Sequence, residues 1–432
     1  MKRRAYTARM LPDRPTAEPR LHGVPLKSLL RRTERLRKLG AFGLVLVPLL
    51  FILVTLVLPI SAMLWSSVSD PVLANNLPRL SAQIRLWQGR DQPPYEVVAA
   101  LVADLIVAER ERKVGRVAAR LNHEIPGFRT LMLTTADRVS ALNRAIGEDQ
   151  LFDKDRLLAR LIALDARWAE SRYWIRMRQA APPYTMIYLL RTIDRTIDLD
   201  DEIVMVKEDR RLFVDVFWRT VWICFWVTVY CLTLGYPIAF LLANMSTTKS
   251  NICLLFLLLP LWTSILVKSL SWLVALQNEG VVNDLGILSG LWSTPFELAR
   301  NRVGTYVSMV HMLLPFMTFP LFSVMKGIDG YHMQAAATMG ANPWVAFWRV
   351  YFPQTLPGVG GGVLLVFILS LGLYVPPALV GGPGDQMLSY FIAWGGAGGG
   401  LAASLSIVLL GLVALFLIGF HRVVGVDRTL FR

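Results

Sequence analysis

Residues Ala41–Leu64 run for 24 positions without a charged side chain, and no other feature limits the fold as much. At about 1.5 Å of rise per residue, a helix of that length crosses a hydrocarbon core about 30 Å thick. The rival reading is a secretory signal, but its apolar core would be about 7–15 residues and a small-residue cleavage site would follow. The run is therefore expected to remain as an uncleaved anchor. Five further apolar runs lie near Thr220–Ala243, Cys253–Gln277, Val303–Met325, Val359–Val380 and Leu401–Phe420. The expected fold is an all-α membrane protein with six transmembrane helices. Only 18% of residues are charged, where a soluble domain carries about 25%.

The net charge of +14 is unevenly placed, because residues 1–38 hold 12 Lys or Arg against 3 Asp or Glu. Arg31, Arg32, Arg35, Arg37 and Lys38 precede the first run. Lys and Arg resist translocation, so residues 1–38 are expected to form a basic cytoplasmic leader rather than a nucleic-acid-binding arm. Six spans from an inside start leave the 426–432 tail cytoplasmic as well. Lys249, Lys326, Arg349, Arg422 and Arg428 then lie inside, with Arg300 and Arg302 as exceptions outside. Cys224, Cys231 and Cys253 sit in apolar runs and read as small buried hydrophobes, with no disulfide framework or metal site.

Between the first span (39–65) and the second lie residues 66–211, with 23 basic and 21 acidic side chains. Val97, Val98, Leu101, Val102, Leu105 and Ile106 recur at helical spacing, as do Leu157, Leu158, Leu161, Ile162 and Trp168. Leu131, Met132, Val139 and Leu142 suggest a third amphipathic helix, and Pro93-Pro94, Pro126-Gly127 and Pro182-Pro183 punctuate the segment. A large helical extracytoplasmic insertion is expected, with Asp194, Asp198, Asp200, Asp201 and Glu202 as a solvated or helix-capping run.

The loop between the fourth and fifth spans reads YHMQAAATMGANPWVAFWRVYFPQTLPG over residues 331–358. Two short helices are expected, Gln334–Met339 and Pro343–Val350, joined by Gly340, Ala341 and Asn342. Glycine takes a left-handed conformation after a helix most easily, and Pro343 suits a first turn. Such a helix–turn–helix presents a rigid knob to a soluble partner.

These residues resemble the coupling loop of ABC importer permeases, which carries Glu-Ala-Ala, a Gly four residues after the second Ala, and a closing apolar-x-Leu-Pro. Here Gln334, Ala335 and Ala336 stand at the first element, Gly340 at the second, and Val350, Phe352 and Pro353 at the third. Gln replaces Glu and Phe replaces Leu. GYPIAFLLA (235–243), NDLGIL (283–288) and YVPPALVGGPGDQM (374–387) extend the likeness to the spermidine/putrescine-type permeases over residues 213–425. Within a permease core at 212–425, the coupling segment spans 326–357.

The resemblance implies a multi-pass protein of the bacterial inner membrane that forms half of a solute pathway. The other half is expected from a second, different permease subunit, with a periplasmic solute-binding protein delivering the solute and a cytoplasmic ATPase dimer driving it. No GxxxxGK[ST] loop is present, so no cofactor is expected on this chain and ATP belongs to the partner ATPase. The implied solute is a polyamine or similar small organic compound, although no acidic pair lies within the spans to hold an amine.

Lys268 is a charge within the third span, and such charges mark function or snorkel to the surface. With Trp272, Tyr374 and Pro377 it makes up the candidate substrate path. Trp218, Trp222 and Trp226 lie at i, i+4, i+8 and read as packing or interfacial anchors, and His311 as a satisfied core histidine. The glycines Gly381, Gly382, Gly384, Gly395, Gly396, Gly398, Gly399 and Gly400 fit an external connection with close helix approach. No HExxH, GxSxG or CxxC motif occurs, so the chain is expected not to be an enzyme. A secondary transporter or channel is the alternative, but it would bury more ionisable groups for coupling.

Overall fold

A computed structural model describes residues 20–21, 24–25, 42–89, 91–394 and 399–424. The basic run at 31–38, Gly395, Gly396, Gly398 and the residues from 425 onward lie outside the described residues. Met1–Ala62 and Met63–Arg432 form separate compact units. The first contains most of the helix Phe42–Trp65, which is long and apolar enough to span a bilayer.

Four more continuous helices of spanning length and composition lie in the second unit: Phe213–Asn244, Arg302–Lys326, Pro343–Gly372 and Gly400–Arg422. The third expected span, Cys253–Gln277, is not a straight helix. It is broken into Thr247–Trp262 and Ile265–Ala275, bent by 98°. Pro260 lacks an N–H, the helix tightens over Leu259–Trp262, and Thr263 and Ser264 turn extended. The carbonyl of Pro260, at this helix end, accepts from Thr263 Oγ1 at 2.9 Å and from Lys268 Nζ at 2.9 Å. Pro237, Pro315 and Pro320 interrupt no helix, since neighbouring helices can satisfy what a proline frees.

The membrane core is built where the Phe213–Asn244, Arg302–Lys326 and Pro343–Gly372 helices meet. Ile223, Cys224, Val227, Cys231, Met309, Met317, Leu321 and Val366 are buried there. Cys253, in contrast to expectation, is exposed on the broken span. Glycine permits the closest approach: a Cβ on Gly362 would lie 2.6 Å from Met317 Sδ, and one on Gly358 3.0 Å from the Pro320 carbonyl. Small residues set such helix contacts because lipid supplies no hydrophobic drive between spans.

Residues 66–211 close a core of their own. The expected amphipathic helices form at Tyr95–Arg110, Phe128–Ile146 and Leu157–Leu164, joined by others including Val114–Asn122 and Ser171–Ala180. Trp168 and Trp174 are fully buried with ring centroids 5.0 Å apart. Their indole N–H groups donate to Thr135 Oγ1 at 2.9 Å and to the Trp168 carbonyl at 3.0 Å, so neither is left unpaired. The segment is not wholly helical: Arg195–Ile197 pairs with Ile203–Met205 in an antiparallel hairpin. Adjacent β-branched residues, Thr196 and Ile197 in one strand and Ile203 and Val204 in the other, favour the strands, and Asp201, at φ +64, supplies a left-handed position in the turn.

Entry and exit of this domain run side by side. Asp70 N–H donates to the Pro183 carbonyl and Thr185 N–H to that of Val68, both at 2.8 Å. Asp194 then fastens the domain to the second span. Its carboxylate accepts from the backbone N–H groups of Leu212, Phe213 and Val214 at 2.9–3.0 Å, satisfying donors that a helix start leaves unpaired. The capping part of the acidic run is thus Asp194, while Asp198, Asp200 and Glu202 are exposed around the hairpin turn. Tyr188 packs on Gly400 so closely that a Cβ there would lie 2.3 Å from its ring.

A buried ionic network lies beneath. Arg120 Nε donates to Asp70 Oδ2 and Nη1 to Glu124 Oε1 at 2.7 Å, and Arg191 Nη2 donates to Glu124 Oε2 at 2.9 Å. Burial alone would raise the Glu124 carboxyl, but Arg191 and Arg120 outweigh it and hold the group below its ordinary value.

Candidate functional site

At the opposite end of the bundle from this domain, the 331–353 loop is built from two caps. Tyr331–Thr338 is a helix that ends with Gly340 at φ +82. Gly340 N–H donates to the Ala337 carbonyl at 2.9 Å and Ala341 N–H to that of Ala336 at 3.0 Å, the paired bonds of a Schellman stop. Asn342 then restarts the helix: its Oδ1 accepts from Trp344 N–H at 3.1 Å, with Pro343 in the first turn.

The second helix does not end at Val350 as expected. Pro343–Ala346 passes through a π-turn at Phe347–Tyr351 into Phe352–Gly372, so knob and fifth span are one element of 30 residues. The wide turn precedes Pro353, whose missing donor falls in the first turn of the following helix. Aromatic rings join this element to the second span. Phe240 lies 5.4 Å from Tyr351 and 6.0 Å from Phe347, and Tyr236 lies 5.9 Å from Phe352. Sequence spacing gave no sign of this cluster, because its two halves are more than 100 residues apart.

The matched motif residues divide into two faces. Ala336 is buried at 3% exposure beneath the π-turn, whereas Gln334, Ala335, Gly340, Asn342, Pro343 and Pro353 are exposed. Ala341, Val350 and Phe352 are half-buried. Trp344 (70% exposed) and Trp348 (47%), with ring centroids 6.0 Å apart, add a bare aromatic surface to the knob. Large exposed aromatics next to small residues make a surface suited to a protein partner.

The candidate path residues do not converge on one cavity. Trp272 helps line a cavity of about 580 Å³ with Tyr230, Thr233, Tyr306, Val310 and His311. Its indole N–H donates to His311 Nδ1 at 3.1 Å, which gives the histidine a partner. Lys268, one turn away, lines a separate cavity of about 240 Å³ with Met312, Phe316, Leu369 and Leu373. Lys268 is bonded to the broken helix end at Pro260, where carbonyl dipoles favour a cation. Tyr374 is half-buried and Pro377 buried, and neither lines either cavity. Trp222, Trp226, Tyr230 and Tyr306 form a ladder with successive centroids 5.5–5.8 Å apart that ends at the larger cavity, while Trp218 is exposed above it.

Sequence comparison is consistent with this geometry. The spermidine/putrescine transport system permease protein PotB of Haemophilus influenzae is 30% identical over 216 residues, 49% of this chain and 75% of that protein. The protein of the same name from Escherichia coli K12 is 30% identical over 181 residues, 66% of its length. An inner membrane ABC transporter permease protein of that organism, YdcU, is 29% identical over 72% of its length. A chain of a solved bacterial ABC transporter involved in alginate import aligns over 51% of this chain and 80% of its own, at 16% identity and a TM-score of 0.40. No family model matches the chain. It is a multi-pass inner-membrane protein of the transporter-permease class. Within that class the chain belongs to the ABC permease family that includes the spermidine/putrescine transport permeases.

Proposed function

We propose that this chain works as one of two different permease subunits in an importer for a polyamine-like organic cation. In this reading the 331–353 knob docks on a cytoplasmic ATPase dimer, which binds the ATP. Both chain ends are then cytoplasmic, and the 66–211 domain faces a periplasmic solute-binding protein. The observation that carries the coupling role is the knob itself. It is closed by two caps, fused to the fifth span without a hinge, and presents Gln334, Ala335, Trp344 and Trp348 outward. The names of the relatives support the solute class. Aromatic faces at Trp272, Tyr230 and Tyr306 suit a cation in the absence of a carboxylate among the lining residues.

Replacing exposed Ala335 by Trp tests the docking role, since added volume there meets the partner rather than the chain's own core. Uptake is expected to fall, and ATP hydrolysis to stop responding to solute-loaded binding protein, at unchanged membrane insertion. Normal uptake at equal expression would remove the knob from the mechanism. For the solute, spermidine and putrescine should bind the binding protein encoded with this chain, and failure of both to bind would remove the polyamine reading alone.

A further inference from the structure

A cleft of about 470 Å³ opens where the 66–211 domain meets the start of the last span. Its walls include Ser66, Asp70, Arg116, Arg120, Tyr188 and Gly400. Arg120 is only 5% exposed, yet its Nη2 has no hydrogen-bond partner while Nε and Nη1 are both engaged. A buried guanidinium N–H without an acceptor is costly, more so than for a neutral group. Arg116, one turn earlier on the same helix, is exposed and forms no ion pair among the described residues. Gly115 beside it leaves open space, with no atom within 4 Å of where a Cβ would stand.

The charges of the lining do not cancel. Asp70 is taken up by Arg120 Nε and by the Tyr188 hydroxyl at 2.9 Å, and Glu124 by Arg120 and Arg191. One positive charge, on Arg116, is left over, and so is one N–H without a hydrogen-bond acceptor, on Arg120, whose guanidinium otherwise lies 5.3 Å from the centre of the Tyr188 ring. An oxyanion supplies both the charge and the acceptor, and guanidinium groups hold phosphate well.

The level of the cleft identifies the source. Gly400 begins one membrane helix, and Ser66 follows immediately on Trp65, the end of another. Trp65 and Tyr184, 60% and 64% exposed, stack edge-on at 6.2 Å beside it, as aromatic side chains do at headgroup depth. We infer that this cleft is a binding site for the headgroup phosphate of a phospholipid in the leaflet on the domain's side, held by Arg116 and Arg120.

Native mass spectrometry of the full chain released from nanodiscs reads this directly. From phosphatidylglycerol discs one tightly held lipid per chain is expected, and from digalactosyldiacylglycerol discs, which lack phosphate, none. Arg116→Gln changes an exposed side chain, so the fold is retained, as circular dichroism can verify. It should weaken retention about tenfold, the loss of one charge-assisted bond, and Arg116→Lys should restore part of it. Equal retention by wild type and Arg116→Gln, or equal retention of the galactolipid, would overturn the site. In detergent, phosphatidylglycerol should slow hydrogen exchange in Val114–Asn122 and inorganic phosphate should not. Equal protection by inorganic phosphate would make the ligand a free anion and overturn the lipid assignment.

Discussion

The two halves of the second unit bury their apolar residues differently. Among the described residues, the fully buried aromatic side chains, Trp168, Trp174 and Phe128, all lie in the inserted domain. The membrane half instead leaves Phe256, Trp262, Leu288, Leu291 and Leu415 at 68–83% exposure. One half has finished its core alone; the other has large apolar faces that only lipid or another subunit can cover. Water drives the first by removing apolar surface from solvent, whereas spans in lipid rely on close fit and small residues.

The contrast breaks most sharply at Trp174. Trp174→Ala removes a fully buried indole and should cost the inserted domain about 3–5 kcal/mol. Limited proteolysis should then cut within 66–211 while the spans stay inserted; simultaneous loss of both halves would show that they fold as one. Asp194→Ala strips the acceptor from three backbone N–H groups and should cost about 1.5–3 kcal/mol. Faster hydrogen exchange at Leu212–Val214, with the domain core unchanged, is the expected signature. Gly362→Val pushes a side chain into Met317 and should cost about 1–3 kcal/mol, seen as weaker thermal stability of the membrane half with an intact domain.

Acid gives the smallest and most selective effect. The His123 imidazole is held below its ordinary 6.5 by burial and then by Arg120 and Arg191. The unfolded chain therefore takes up a proton first as pH falls through 6.5, and stability declines. Glu124, depressed below 4.5, contributes stability above that value that is lost as pH falls through its folded-state pKa. Denaturant melts followed by tryptophan fluorescence should show the domain weakening below pH 6.5, and Glu124→Gln should make the decline below 4.5 shallower, with Asp165 and Asp201, also held below their ordinary values by arginine partners, accounting for part of the rest.

What could be read from residue order follows the same division. Long uncharged runs located the spans, because a bilayer demands length and apolarity and little else. The break near Pro260 was hidden: both its arms are apolar, and other prolines in the chain sit in unbroken helices. Only the pairing of Pro260 with Thr263 and Lys268 distinguishes it, and that pairing appears in three dimensions. The hairpin at Arg195–Met205 was masked by its acidic turn and by strands too short to show a period, with only Thr196-Ile197 and Ile203-Val204 as β-branched pairs. In the knob, Gly340 and Pro343 announced a turn correctly. The continuity into the fifth span was missed because Pro353 and Pro357 suggest interruption, and a π-turn removed the conflict.

The adjacent backbone bonds at Asp70–Pro183 and Val68–Thr185 make residues 71–182 topologically a graft. The ends of a graft closed in this way stand together, so a short turn can join residues 70 and 183, and what excision cuts is the set of bonds from Arg176, Arg178 and Glu124 to Ile197, Asp201 and Arg191. The excised piece would carry its own termini side by side, ready for separate expression or circular permutation. Gain and loss of such a cassette leave the order of the membrane helices untouched, and this is how a permease can acquire a new surface without changing its machinery.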